Sequence, residues 1–374
     1  MRKINYPTDP NLLVEFHERY YGLFSVKTIG AINVQLGKAP AFNNQILTFK
    51  KIATSNFEEL CALKAHLKSF SDSKGKTTVK NKKKEIKNSF TKPFNYKGLQ
   101  SSIARFFMNE QHLGMKTCYY CGIDYINSFK DIADYQNVND FINRSPACEL
   151  KVIDGLDDVI AAKILLLRAT TYITSFTQFT KSKRVINALN EFDSYNTHNH
   201  FTLGHILPQG DFKFLSLCLY NLVPSCYSCN SKFKKDINFL DDKSILEVSP
   251  TSAGYRLAGD LKFKLLYSGK LKDIKNTSDF ILTRDIRKNV DQVEKYPEIF
   301  KLDGRYANHK DIILKMIETK INYPYWKIRL LSREMRTSIK VTKEIIYGKE
   351  IFDDESNAPL HKLKRDIAKA LKII

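Results

Sequence analysis

HFTLGHILPQGDFKFLSLCLYNLVPSCYSCNSKFKKD, from His200 to Asp236, is the stretch on which the reading of this chain turns. TLGHI has the alternation of a short strand, with His205 near its end and Pro208 stopping it. LCLYNLVPSC reads as a second extended piece carrying Asn221, and CNSKFKKD opens a helix with Asn230 in its first turn. Cys226 and Cys229 form a CxxC pair inside this stretch, and MKTCYYCG supplies another, Cys118 and Cys121. Two CxxC knuckles give four thiolates, which satisfy tetrahedral Zn²⁺ with no open coordination position, so the zinc would be structural. The pairs lie far apart in the chain, but knuckles need only meet in space.

A strand, a second strand and a helix carrying His, Asn and Asn in this order resemble the HNH nucleases of the ββα-metal superfamily. The matches are H-I-L-P around His205, N-L-V-P around Asn221 and C-x-x-C-N-x-K from Cys226 to Lys232. More narrowly, FLSLCLYNLVPSCYSCNSKFK is similar to bacterial HNH proteins with the pattern LDHF…FLSLSLYNLIPSCxxCNS. The likeness covers Lys116–Cys121 and Phe201–Asp236 and is weak or absent elsewhere.

The resemblance implies a metal-dependent endonuclease, a hydrolase that cleaves DNA phosphodiester bonds. Such cleavage needs an activated water, neutralisation of charge at phosphorus and stabilisation of the leaving oxygen. His205 would be the general base, a role suited to an imidazole. Asn221 would tie the loop to the first strand and orient His205. Asn230 would bind one catalytic divalent ion, Mg²⁺ or Mn²⁺, through its carboxamide oxygen. Lys232 and Lys234 would meet phosphates near the start of the helix. Proteins of this kind often sit in bacterial phage-defence or mobile-element systems, which implies, by analogy, a cytoplasmic defence effector with a protein partner. Gly204 departs from the pattern: the family has Asp or His immediately before the base, as the other protein ligand of the catalytic metal, and glycine offers none. His200 and Asp211 are the nearest substitutes, and His200 lies on the opposite strand face by parity.

Composition favours a polyanionic partner. In 374 residues, 60 Lys+Arg stand against 40 Asp+Glu, a formal net charge of +20 with an isoelectric point near 9.4. Basic surfaces gain affinity for nucleic acid by releasing its condensed counterions, and the resemblance implies DNA before RNA. A Lys-rich surface with no such partner would look the same. The chain shows neither a long apolar run nor a secretory-type start in MRKINYPTDPNLL, so neither a membrane span nor export is expected. Seven cysteines without a leader point to metal rather than disulfides, with Cys61, Cys148 and Cys218 left as small core residues.

The fold class expected is α+β, a small zinc-bound ββα core in a mainly helical chain. The division expected is 1–92 as a helical region with a basic linker, 93–240 as the HNH core and 241–374 as a mainly helical region. Lys74 to Lys97 reads as a flexible basic connection, and SILEVSP and FKLLYSG as short strands. In the closing helix, Leu360, Leu363, Ile367, Leu371 and Ile374 share one face.

Within the core region, 133–172 reads as a helical insertion. SPACELKVI suggests a helix capped by Ser145, Asp154-Gly155 a tight turn, and DDVIAAKILLLRA a second helix with Ala162 for close packing. This resembles a helix-hairpin-helix DNA-binding element, with Gly155, Lys163 and Arg168 as nucleic-acid contacts, although Asp157 stands where that motif favours a second glycine. An ordinary antiparallel helix pair fits equally. Two alternatives to a DNA nuclease stay open: a catalytically degenerate HNH-fold subunit that binds DNA or scaffolds a partner, and an RNA-directed nuclease.

Overall fold

Asp9 and Pro10 open the first helix, Pro10–Tyr21. The Asp9 carboxylate accepts from the Asn11 and Leu12 N–H groups, and proline at the first position forfeits no helical bond. Ser25 and Thr48 cap Val26–Leu36 and Phe49–Thr54 in the same way. With Phe57–Ser73 and Tyr96–Asn109 these helices bury Phe16, Tyr20, Phe24, Phe49 and Phe106 in one core. The rings meet edge to face, Phe24 and Phe49 at 4.8 Å between centroids and Tyr20 and Phe106 at 5.2 Å, the arrangement ring quadrupoles prefer.

This is a computed structural model. It describes every residue except 74, 81–82, 89, 131–134, 136, 193–196, 238–244 and 287–290, and only the backbone of 75–80, 83–88, 128–130, 197–199 and 291–292. The protein is mixed α and β and mainly helical. Among the described residues its strands pair into four two-stranded antiparallel sheets: β1 (Gly75–Lys80) with β2 (Lys83–Asn88), β3 (Ser128–Lys130) with β4 (Thr197–Asn199), β5 (Thr202–His205) with β6 (Leu222–Ser225), and β7 (Leu261–Tyr267) with β8 (Phe280–Ile286). Among them no helix is long and apolar enough to cross a membrane.

The chain folds as two compact units, one of 1–126 with 201–374 and one of 127–200. In the first, β5 and β6 pair in the register Thr202–Ser225, Leu203–Pro224, Gly204–Val223 and His205–Leu222. The helix Ser228–Lys234 follows directly and is wound wide, the Lys235 N–H reaching back five residues to the Asn230 carbonyl at 2.9 Å. The β7–β8 hairpin lies against the last helix, His361–Ala370, which buries Leu363 and Ile367 while Ile374 stays exposed. The second unit has its own core, with Phe141, Ile164, Val185 and Leu189 from helices Val138–Arg144, Asp158–Arg168 and Lys183–Asn190.

Several local expectations change. The basic connection is in part the β1–β2 ladder, because Thr77, Val79 and Ile86 bring β-favouring residues into a lysine-rich text. Ile245–Val248 is a helical turn, not a strand. Ser145 ends the helix Val138–Arg144, its N–H bonded to the Phe141 carbonyl, and so does not cap the next one. Cys218 is buried as expected, but Cys148 is exposed. The expected boundaries at 92 and 240 both fall inside the first unit, because the text on either side of the knuckles packs into one core.

Candidate metal centre and the His205 strand pair

The four sulfurs of Cys118, Cys121, Cys226 and Cys229 lie within 4.8 Å of one another, and all four residues are buried. A zinc ion bonded to each at about 2.3 Å would set the sulfurs about 3.8 Å apart, so the donor set fits a closed tetrahedral site. Backbone amides already point at the sulfurs: Ile123 N–H donates to Cys121 Sγ and Cys229 N–H to Cys226 Sγ, each at 3.4 Å. The first knuckle closes on a tight turn, where Gly122 adopts φ +66°, and the second runs directly into the helix Ser228–Lys234.

Residues from far along the chain complete the shell. Arg305, in the helix Leu302–Ala307, places its guanidinium 3.1 Å from Cys229 Sγ and 3.4 Å from Cys121 Sγ. The same group pairs with Asp124 at 2.7 Å. A tetrathiolate zinc carries a net charge of about −2, and a fork-shaped cation aimed at two of its sulfurs offsets part of it. Tyr306 Oη donates to the Cys121 carbonyl at 2.5 Å and Tyr296 Oη to the Tyr120 carbonyl at 2.8 Å, fixing the first knuckle from behind. The centre therefore staples the first knuckle, the second knuckle and the 296–306 segment together.

Asn221 is fully buried, immediately before β6. Its Oδ1 accepts from Leu207 N–H at 2.8 Å, and its Nδ2 donates to the carbonyls of Leu207 at 3.2 Å and Leu215 at 3.0 Å. One carboxamide thus pins both ends of the loop that leaves β5. Tyr20 Oη secures the same loop from outside, donating to the Leu217 carbonyl at 2.9 Å.

His205 ends β5 and is 8% exposed. Its Nε2 lies 3.0 Å from the Ser216 carbonyl, and the Tyr96 ring meets it edge on, with centroids 4.5 Å apart. Burial pushes the imidazole down to about 4, the Ser216 bond opposes that, and the nearby Lys234 ammonium adds to it. At neutral pH the ring is uncharged. A carbonyl can only accept, so the nitrogen facing Ser216 carries the proton and the other keeps its lone pair.

Gly204 and Asn230 face each other. A Cβ at position 204 would lie 3.0 Å from Asn230 Oδ1, 3.2 Å from Ser225 Oγ and 3.2 Å from Tyr120 Cε2. The Asn230 carboxamide therefore sits where a side chain at 204 would meet it, and the glycine is close-packed. No hydrogen bond joins Asn230 to His205 among the described residues. Asp211 and His200 are both exposed.

Lys232 is exposed, but Lys234 is 1% exposed, its ammonium lowered to about 8 by burial, with Asp236 opposing the shift. Lys234 thus faces inward, and of these two lysines only Lys232 lies at the surface. In the second unit Gly155 adopts φ +81°, as its turn requires, and Lys163 is exposed. Arg168 is engaged within the unit, donating to the carbonyls of Ile142 at 3.1 Å and Ser145 at 2.6 Å. Ala161 rather than Ala162 packs inward. Asp157 caps the helix Asp158–Arg168 through the Ile160 N–H at 2.9 Å, so a carboxylate already holds the helix end that a hairpin of this kind offers to phosphate.

Tyr96, Ser216 and Arg305 were not singled out by their sequence context, because each acts only through a partner distant in the chain. No family model matches the chain, and neither does any curated protein or solved structure.

Proposed function

We propose that this protein is an HNH-type endonuclease that hydrolyses DNA phosphodiester bonds on a zinc-stapled strand–strand–helix core, acting as a cytoplasmic phage-defence effector with a protein partner. The observation that carries this reading is one juxtaposition: the Asn230 carboxamide lies against residue 204, next in the strand to a neutral His205 whose proton is fixed on the nitrogen facing Ser216. The other ring nitrogen is the one that accepts a proton from the attacking water. Asn221 holds the loop that supplies the Ser216 carbonyl, and so positions the imidazole without touching substrate. The net charge of +20 supports a polyanionic substrate, with Lys232 at the surface of the following helix.

A catalytic Mg²⁺ or Mn²⁺ would supply charge neutralisation at the phosphate. Of the two protein donors such an ion takes in this family, the chain provides the Asn230 oxygen only, since Gly204 has none. The donor set fits the ion incompletely, and the steps above use only the chain's own groups.

That shortfall, with the burial of His205, favours a second reading: a DNA-binding subunit that keeps the zinc scaffold and has lost cleavage. Incubation of supercoiled plasmid with the purified protein and Mg²⁺ or Mn²⁺, beside His205→Ala and Asn230→Ala, separates the two. Cleavage abolished in both variants supports the nuclease. Binding without cleavage under either ion supports the subunit, and cleavage of single-stranded RNA alone reassigns the substrate. Gly204→Asp should lower the Mg²⁺ concentration needed for cleavage if the missing donor limits the enzyme, at a cost in stability from the crowded Cβ position.

A further inference from the structure

A cavity of about 400 Å³ opens along the last helix, between it, β7 and the segments 1–5 and 354–358. None of His205, Asn221 and Asn230 lines it. Its walls carry six Lys and Arg side chains against three carboxylates. Two of those carboxylates are already committed. Asp366 pairs with Lys362 and also accepts the Phe263 N–H at 2.9 Å, and Asp354 pairs with Arg365. Lys262 and Lys369 have no carboxylate partner among the described residues. They crowd the Lys362 ammonium, which burial lowers and which Asp366 only partly supports against the two neighbouring lysines.

One donor in the wall is also left over. Arg2 Nε is buried and has no hydrogen-bond partner. Arg2 is otherwise held firmly, its guanidinium bonded to Tyr119 Oη at 2.9 Å and to the Gly114 carbonyl at 3.1 Å, so its orientation is preset. His361 begins the helix His361–Ala370, which has no acidic residue in its first turn and no side-chain cap. The helix dipole therefore adds to the positive field of the side chains instead of offsetting it. Unmatched cations and an unmatched N–H in one concavity are both relieved by the same thing, an oxyanion with several acceptor oxygens.

We propose that this cavity binds a phosphate-bearing ligand, through Lys262, Lys369 and the unpartnered donor of Arg2. A free nucleotide and the phosphorylated end of a nucleic acid present the same group, and both fit the chemistry. The site stands independently of the nuclease reading.

The test is calorimetric titration of the full chain, wild type and Lys262→Gln/Lys369→Gln, with ATP, inorganic phosphate, and one oligonucleotide carrying either a 5′-phosphate or a 5′-hydroxyl. The two lysines are unpaired, so the double variant should melt like the wild type without ligand. Affinity for the phosphate probe should fall roughly tenfold or more, as expected for lost charge-assisted bonds. ATP binding assigns a free nucleotide, and a preference for the 5′-phosphate over the 5′-hydroxyl oligonucleotide assigns a nucleic-acid end. The proposal is overturned if no phosphate probe binds. It is equally overturned if the double variant binds each probe as the wild type does, or if the melting control shows the variant intact while the oligonucleotide's 5′ group makes no difference and ATP is ignored.

Discussion

Replacing Asn221 removes one carboxamide and strands three backbone groups. Its Oδ1 satisfies the Leu207 N–H, and its Nδ2 satisfies the carbonyls of Leu207 and Leu215, all within a fully buried setting. Each buried group left unpaired costs about 1–3 kcal/mol, reduced where a water can enter the space vacated. Asn221→Ala should therefore destabilise the zinc-loaded protein by roughly 3–5 kcal/mol, a large part of the 5–15 kcal/mol typical of a folded domain. Asn221→Asp makes a sharper case. One carboxylate oxygen can still accept from Leu207 N–H, but the other then faces two carbonyl oxygens and has no proton to give. The folded state holds that carboxyl above its unfolded value, so the folded state binds the extra proton. Stability of this variant should accordingly rise as pH falls through the folded value and be lost above it. Urea denaturation followed by circular dichroism at constant zinc, from neutral pH downward, measures both effects. An Asn221→Ala variant within about 1 kcal/mol of the wild type, or an Asn221→Asp deficit that does not shrink on acidification, would refute the assignment of Asn221 as the clamp of this loop.

Other consequences can be measured separately. One zinc per chain should be found by atomic emission, and Cys229→Ser should lose it together with cooperative unfolding, since structural zinc contributes about 10 kcal/mol or more to folding in small sites. Arg305→Met should keep the four sulfurs but release zinc faster to a chelator, and Arg305→Lys should restore the rate only in part, because an ammonium lacks the two-pronged reach to Cys229 and Cys121. His205, lowered to about 4 from 6.5, binds its proton more weakly when folded. Its contribution is complete above the unfolded value and is lost as pH falls from 6.5 towards 4, roughly 3 kcal/mol in all, so His205→Gln should flatten the pH–stability profile in that window. A slope unchanged in the variant would assign the acid sensitivity to other groups.

The legible part of the site was the part written in short-range pattern. Two CxxC pairs announced a four-thiolate cluster, and the extended text of TLGHI and LCLYNLVPSC announced the β5–β6 pair, although Leu219–Asn221 is a 3-10 turn and only Leu222–Ser225 is strand. The lysine-rich text of 75–88 hid a hairpin, because its β-favouring residues are interleaved with charges that read as solvated coil. Lys234 looked like a surface cation from its neighbours Lys232 and Lys235, and only the wide helix turns it inward. Arg168 likewise looked like a phosphate contact until its two backbone acceptors were in view.

By itself, the sequence determined which groups could act: four sulfurs, one imidazole, two carboxamides and an excess of cations. Tertiary structure alone decided their condition. It put the edge of Tyr96 against His205, Arg305 against the sulfurs, and Lys262 beside Lys362 in a cavity where, among the described residues, Asp366 pairs with Lys362 alone. The reason is that spacing along a strand or helix is fixed by backbone geometry a few residues at a time. Charge state, burial and hydrogen-bond partners are instead set by segments that meet only when distant parts of the chain pack together.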